Sequence, residues 1–398
     1  MKISGIALLI AAVALTGVAP ARGQLRWVGT WEAAPVWADS ATSFGNVTLR
    51  EVVHTSIGGG LVRVRFTNTF GTQPLTIGSA SVALRGSGAG ASSLPRALTF
   101  GGRPSIIIPP GAQMLSDPAN LRIPSASDVL ISLYLPGPTG AATTHPLALQ
   151  TNYSARGDRI EDKSGTAFAH TYTSWYYISG VDVAQTSAAG SVVALGDSIT
   201  DGWHSNLDQN GRWPDVLARR LLRLPPSKQL GVLNAGIDGN RLLLDGAQYG
   251  VNALARFDRD VLAQSGVEAV IVLLGINDIQ QRPQEHNARH IENGLLQLAA
   301  QAHEHGLRIV ACTILPAEGD YAYSPAVETT RKAVNAFIRS STAFDAICDF
   351  DAALRDPTDP HRMLPAYDSG DHLHPNSAGL RVMGSLIDLQ KLESWQGR

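Results

Sequence analysis

The chain is poor in several features that often decide a reading early. Its only cysteines are Cys312 and Cys348, so neither a disulfide framework nor a cysteine-rich metal module organises it. Neither lies near the N-terminus, which excludes a lipid-anchoring lipobox. Lys and Arg number 32 against 34 Asp and Glu, with no basic cluster, so there is no electrostatic footprint for nucleic acid or an anionic membrane. No Gly-x-Ser-x-Gly elbow occurs, nor any P-loop. Gly236-x-x-Gly239 lacks the leading glycine and the placed acid of a dinucleotide fingerprint. His286 and His290 stand four apart, but no third ligand accompanies them, and a solvated helix face is the simpler reading. Neither metal nor cofactor is expected.

What is present is an ordinary globular composition, 44% apolar and 17% charged over 398 residues, enough for two cores. Lys2 precedes the run "IALLIAAVALTGVA" and then the small residues of "PARGQ". This is the layout of a secretory signal peptide, with cleavage fitting after Ala21 or Gly23. Residues 1–23 are assigned to that leader, which predicts a secreted, extracellular or periplasmic protein with no membrane attachment after cleavage.

Two rhythms divide the remainder. Across 24–185 short alternating strands dominate, as in "LVRVRFTN", where Val62, Val64 and Phe66 point one way and Arg63 and Arg65 the other. Many such strands with Gly/Pro/Ser turns predict an all-β sandwich or jelly roll. Trp175 and Tyr176 could form a sugar platform there, although core packing is the simpler role. Across 186–398, apolar runs such as "SVVAL" and "EAVIVLLG" alternate with helical stretches. That pattern predicts an α/β, flavodoxin-like doubly wound parallel sheet. Cys312 and Cys348 fall in two of its apolar runs, where free buried thiols are commoner than a bridge.

In such sheets ligands bind at the carboxyl ends of the strands. The first strand runs into Gly196-Asp197-Ser198, the second into Asn234-Ala235-Gly236-Ile237-Asp238-Gly239, and the third into Gly275-Ile276-Asn277-Asp278; Asp371, His372 and His374 precede the last helix. These parts suit acyl transfer. A serine hydroxyl needs a base within hydrogen-bond reach, a neutral imidazole can take that proton, and an acidic neighbour fixes its tautomer. The Ser198 amide, a glycine amide of the second turn and the Asn277 side chain could hold an oxyanion.

The four blocks together, Gly196-Asp197-Ser198-Ile199-Thr200, Asn234-Ala235-Gly236-x-x-Gly239, Gly275-x-Asn277-Asp278 and Asp371-x-x-His374, resemble those of the SGNH, or GDSL-type, hydrolase family, in the family's order. The resemblance implies Ser198 as nucleophile, His374 as base and Asp371 as its partner, with Gly239, Asn277 and the Ser198 amide forming the oxyanion hole. A β domain ahead of the catalytic one is similar to secreted members grouped with xylan- and arylester-type esterases. The substrate implied is an ester, with acylated polysaccharide as one option and small-molecule short-chain or aryl esters as the alternative. A non-catalytic carbohydrate-binding protein would have no need of all four blocks.

Competing residues are weighed on spacing. His372 adjoins Asp371, so their side chains would diverge, and Asp368 is a reserve for the orienting acid. Asp197 and Asp278 suit loop-holding turns. His303 and His305 read as residues facing a helix C-terminus. Trp203 and Tyr321, on loops after the nucleophile and the fourth strand, are candidates to line the substrate site.

Overall fold

The computed structural model describes residues 25–392; the signal-peptide segment 1–23 lies outside them. Residues 25–184 build antiparallel sheets. One has four strands, Val28–Glu32, Ile178–Ala184, Leu61–Thr67 and Gln113–Leu115 in that order, and a larger one has six, centred on Val47–Thr55 and Ser127–Leu135. The alternation in "LVRVRFT" is obeyed on one face, where Val62, Val64 and Phe66 are fully buried in the sandwich core. The opposite face is not open to water. Arg63 donates to Ser265 Oγ at 3.0 Å and Arg65 to the Ala263 carbonyl at 3.3 Å. The polar face of this sheet is thus the seam with the other half of the chain. Trp175 and Tyr176 are buried, and Trp175 donates to the Val52 carbonyl at 2.9 Å, so they serve the core and form no sugar platform.

Five parallel strands follow: β1 (Gly190–Gly196), β2 (Leu230–Gly236), β3 (Val267–Leu273), β4 (Arg308–Cys312) and β5 (Ala346–Cys348). Their spatial order is 2-1-3-4-5, the flavodoxin-like arrangement, whose strand order reverses beside β1. The near-continuous apolar runs are explained by helices on both faces. Val193 and Leu195 share a core with Ile291, Leu298 and Val334 of the helices Ala288–Glu304 and Pro325–Ser340. Val192 and Ala194 pack instead with Trp213, Leu217 and Met383 of Trp213–Leu221 and Ser377–Leu386. Burial of each such large apolar side chain contributes roughly 1.5–3 kcal/mol, which is why the strand interiors are predominantly apolar.

Strand β2 would be an exposed edge, a template for unwanted pairing. The β half covers it: Ser56 Oγ accepts the Val232 amide at 2.9 Å, and Ala33 bridges Asn234 in parallel. On the far side, Cys312 and Cys348 are register partners on β4 and β5 and are buried free thiols. Gly196 of β1 is level with Gly236 of β2 and Leu273 of β3. Three loops therefore emerge at one height on one edge, and this levelness positions the site.

Candidate active site

Strand β1 ends at Gly196, and Asp197 caps the next element by accepting the Ile199 amide at 3.1 Å. A single four-residue helix, Ser198–Asp201, follows and is closed by Gly202 in a left-handed conformation. As its first residue, Ser198 has an amide with no intrahelical acceptor. The helix lies directly on the end of β2: a Cβ at Gly236 would stand 2.2 Å from the Asp201 nitrogen. No other residue type permits that approach. Asp197 therefore holds a turn, as its spacing suggested, and burial pushes its carboxyl up to about 7 against the pull of the Ile199 amide.

Folding brings the C-terminal turn onto this helix. His374 Nε2 lies 2.8 Å from Ser198 Oγ, across 176 residues of sequence. His374 Nδ1 lies 2.7 Å from Asp371 Oδ2. The other oxygen, Asp371 Oδ1, accepts from the amides of His374 and Leu373 at 2.8 and 3.0 Å and from Ser369 Oγ at 3.0 Å. Partial burial opposes ionisation of Asp371, but the His374 ring and these amides outweigh it and hold the carboxyl far below its ordinary range. His372 turns to Asp368 instead, at 2.6 Å. The two histidines of "DHLHPN" thus have separate acids, and the reserve candidate Asp368 is occupied elsewhere.

The oxyanion candidates occupy the two neighbouring turns. Gly239 has φ +68, and a Cβ there would meet the Tyr249 ring at 2.2 Å, so its backbone is available at the site only because it has no side chain. Asn277 sits in the short helix Ile276–Gln280 after β3. Its Oδ1 accepts from Gln281 Nε2 at 3.0 Å and its Nδ2 donates to the Asn240 carbonyl at 3.1 Å. That pattern fixes which way the amide faces and leaves a second N–H for an incoming oxyanion. Gln281 also donates to the Gly239 carbonyl at 2.8 Å, latching the second turn to the third. Asp278 accepts the Leu242 and Leu243 amides at 2.8 and 2.9 Å and is a loop-holding residue.

Beneath these turns lies Arg256, fully buried. It donates to the carbonyls of Gly196 and Ala235 at 3.0 and 2.8 Å, to Asn240 Oδ1 at 3.0 Å and to Asp260 at 3.1 Å. Sequence reasoning missed it, as it missed Gln281 and His204. Gln281 could have been found one helical turn after Asn277, whereas nothing in "ALARFDRD" marks the first of its two arginines as a residue of the site.

The outer side of the site is open. His204, in the left-handed region at φ +63, places Nε2 3.1 Å from Asp371 Oδ2. Trp203 is partly exposed, with its ring 6.1 Å from that of His374. Tyr321 is 96% exposed and lines the cleft that also contains Asp371 and His374. Trp203 therefore stands beside His374, and Tyr321 shares a cleft with it. His204, Asp371 and His374 bring potential ligand atoms within 4.8 Å of one another, but each is engaged in the hydrogen bonds just described. His286 precedes the helix that carries His290, and His290 binds Glu285 at 2.8 Å, so the expected shared helix face does not exist. His303 pairs with Asp345 at 3.0 Å, and His305 binds the Gln301 carbonyl at the helix end at 2.9 Å.

A flavodoxin-like sheet thus carries Ser198 after its first strand, in hydrogen-bonded series with His374 and Asp371 from the loop before the last helix, an arrangement that can activate a serine hydroxyl. Residues 194–382 match the family model of the GDSL-like lipase/acylhydrolase family. Among solved structures, a GDSL-like lipase from Bacteroides thetaiotaomicron VPI-5482 is similar at 20% identity and a TM-score of 0.38, covering 50% of this chain and 86% of that one. An acetylxylan esterase from Geobacillus stearothermophilus is similar at 22% and 0.39, covering 51% of this chain and 95% of that one. No curated protein sequence matches the chain. Among the described residues no helix is long and apolar enough to cross a membrane.

Proposed function

We propose that this chain is a secreted serine carboxylic ester hydrolase that works through an acyl-enzyme and removes acetyl or similar small acyl groups from carbohydrate esters. The observation that carries the catalytic part is the unbroken series Ser198 Oγ, His374 Nε2, His374 Nδ1, Asp371 Oδ2, at 2.8 and 2.7 Å. As Ser198 Oγ attacks the acyl carbonyl, its proton passes to His374 Nε2, and Asp371 stabilises the imidazolium formed. The tetrahedral oxyanion is received by the amides of Ser198 and Gly239 and by Asn277 Nδ2. Collapse expels the alcohol, which takes the proton back from His374. A water deprotonated by His374 then attacks the acyl-Ser198 ester, releasing the acid and restoring the serine.

The carbohydrate reading is supported by the leader-like N-terminal sequence and by Trp203 and Tyr321 beside the cleft, since exposed aromatic faces can stack on sugar rings. A second reading, a short-chain or aryl esterase acting on free small molecules, is favoured by the open outer side, where the Asp371 side chain is 36% exposed. The wild type should hydrolyse p-nitrophenyl acetate, and Ser198→Ala should fold normally and lose nearly all of that activity. Equal rates in the two proteins reject the nucleophile. Acetate release from acetylated xylan, compared with turnover of synthetic short-chain esters, separates the two substrate readings. Binding of polysaccharide with no turnover of either substrate would leave only a non-catalytic role.

A further inference from the structure

Asp201 stands three residues after Ser198 on the same short helix and is 3% exposed. Its Oδ2 accepts the Asp238 amide at 3.0 Å, and Asp238 immediately precedes Gly239. One carboxylate therefore clips the turn bearing the nucleophile to the turn bearing the second oxyanion donor. Its Oδ1 is held from outside the catalytic half. His145, at the end of the strand Ala142–His145 in the β half, contacts it through Nε2 at 3.0 Å.

The far nitrogen of His145, Nδ1, faces the Ala34 carbonyl at 2.8 Å. A carbonyl oxygen and a carboxylate oxygen both accept, so each ring nitrogen carries a proton and the ring is an imidazolium. It is 3% exposed and lies 5.5 Å from the Trp175 ring. A second tie runs in parallel: Arg212 donates to the Asp201 carbonyl at 2.6 Å and, from the same guanidinium, to the Ala148 carbonyl of the β half. The helix of Ser198 is thus gripped from the β half at its last residue, through both side chain and backbone.

We propose that the β half is a working part of the active site, with His145 as a positioning residue that acts through Asp201 to set Ser198 against the Gly239 turn. The inference rests on the serine hydrolase reading above. Its physical content is that oxyanion donors lose most of their value when displaced by a fraction of an ångström to an ångström. The clip needs both of its oxygens loaded, and only the β half supplies the second load.

The same seam offers a control. Arg63 bonds Asp182 at 2.8 Å and Ser265 at 3.0 Å, joining the two halves beside the start of β3, at the opposite end of the sheet from Ser198. In the full-length protein, His145→Gln, Asp201→Asn and Arg63→Met are compared with wild type for kcat and KM on p-nitrophenyl acetate, the rate of Ser198 labelling by a fluorophosphonate, and Tm. Asn in place of Asp201 keeps the shape but offers one acceptor oxygen, so it cannot serve both donors. Both site-side variants should lower kcat and labelling rate about 10–100-fold with KM within about threefold, whereas Arg63→Met should keep kcat within about twofold at a lowered Tm. Should His145→Gln not fold, Asp201→Asn decides alone. Values of kcat for the site-side variants within about twofold of wild type, or no lower than for Arg63→Met, overturn the positioning role. A wild type that neither turns over esters nor labels at Ser198 overturns the hydrolase reading itself, a distinguishable failure.

Discussion

Two aspartate–histidine pairs flank the helix of Ser198, and their chemistry diverges through their surroundings. In the outer pair, Asp371 and His374 at 2.7 Å, the second ring nitrogen faces a serine hydroxyl. A hydroxyl can donate as well as accept, so this ring can be neutral and take a proton. In the inner pair, Asp201 and His145 at 3.0 Å, the second nitrogen faces a carbonyl that can only accept. Burial alone would drive the His145 ring toward neutrality, but the charge and hydrogen bond of Asp201 outweigh it and raise its pKa. The outer Asp371 side chain is 36% exposed and the inner Asp201 side chain 4%, so only the outer pair exchanges protons readily with water. Identical side chains thus stand in two settings, a ring able to accept a proton on one side of the serine and a ring held as a cation on the other, and the partner of the second nitrogen decides which.

The comparison breaks most visibly at Asp371. Asp371→Asn should fold, because Asn can still accept the amides of Leu373 and His374, yet it can present its NH2 to His374 Nδ1 and favour the wrong tautomer. Loss of about 10³–10⁴-fold in kcat is expected, far beyond anything at the inner pair. A loss below about tenfold would show that the orienting charge comes from elsewhere.

Much of the outer arrangement was legible in sequence. Asp371 and His374 lie three apart beside a helix start, and Ser198, Gly239 and Asn277 each follow an apolar run. Strand ends in a parallel sheet are level, so residues just after such runs meet. The inner arrangement was not legible. His145 sits in "TTHPL" within the alternating half, where nothing local marks it as a partner of Asp201, and the contact depends on how the two halves dock. Arg63 and Arg65 taught the same lesson: alternation assigned them to the polar face of their strand, and docking turned that face inward.

A smaller effect is expected at Asp197, which is buried beside the outer pair. Its carboxyl is raised from 3.8 to about 7, chiefly by burial, so the folded state holds this proton more tightly than the unfolded chain does. Stability contributed by the protonated group is present at low pH and is lost as pH rises from about 4 to about 7. Asp197→Asn cannot ionise and should keep a cap for Ile199. The Tm difference, variant minus wild type, should therefore grow between pH 4.5 and pH 8 by about 2–4 °C, because the raised carboxyl carries a few kcal/mol across that range and each kcal/mol moves Tm by about 1 °C in a chain of this length. A difference constant across that range contradicts the burial argument.

The least effect should come from His204, although it touches the same oxygen of Asp371 as the catalytic base candidate. Its side chain is 42% exposed, and exposed ion pairs contribute about 0.2–1 kcal/mol. Asp371 keeps the amides of Leu373 and His374, the Ser369 hydroxyl and the His374 ring when His204 is gone, so its charge and orientation persist. His204→Ala should therefore reduce kcat on p-nitrophenyl acetate no more than about fivefold at pH 8. A fall of more than about tenfold would mean that Asp371 cannot hold His374 without a second histidine, and the outer pair would then have to be described as a triad of its own ahead of the serine.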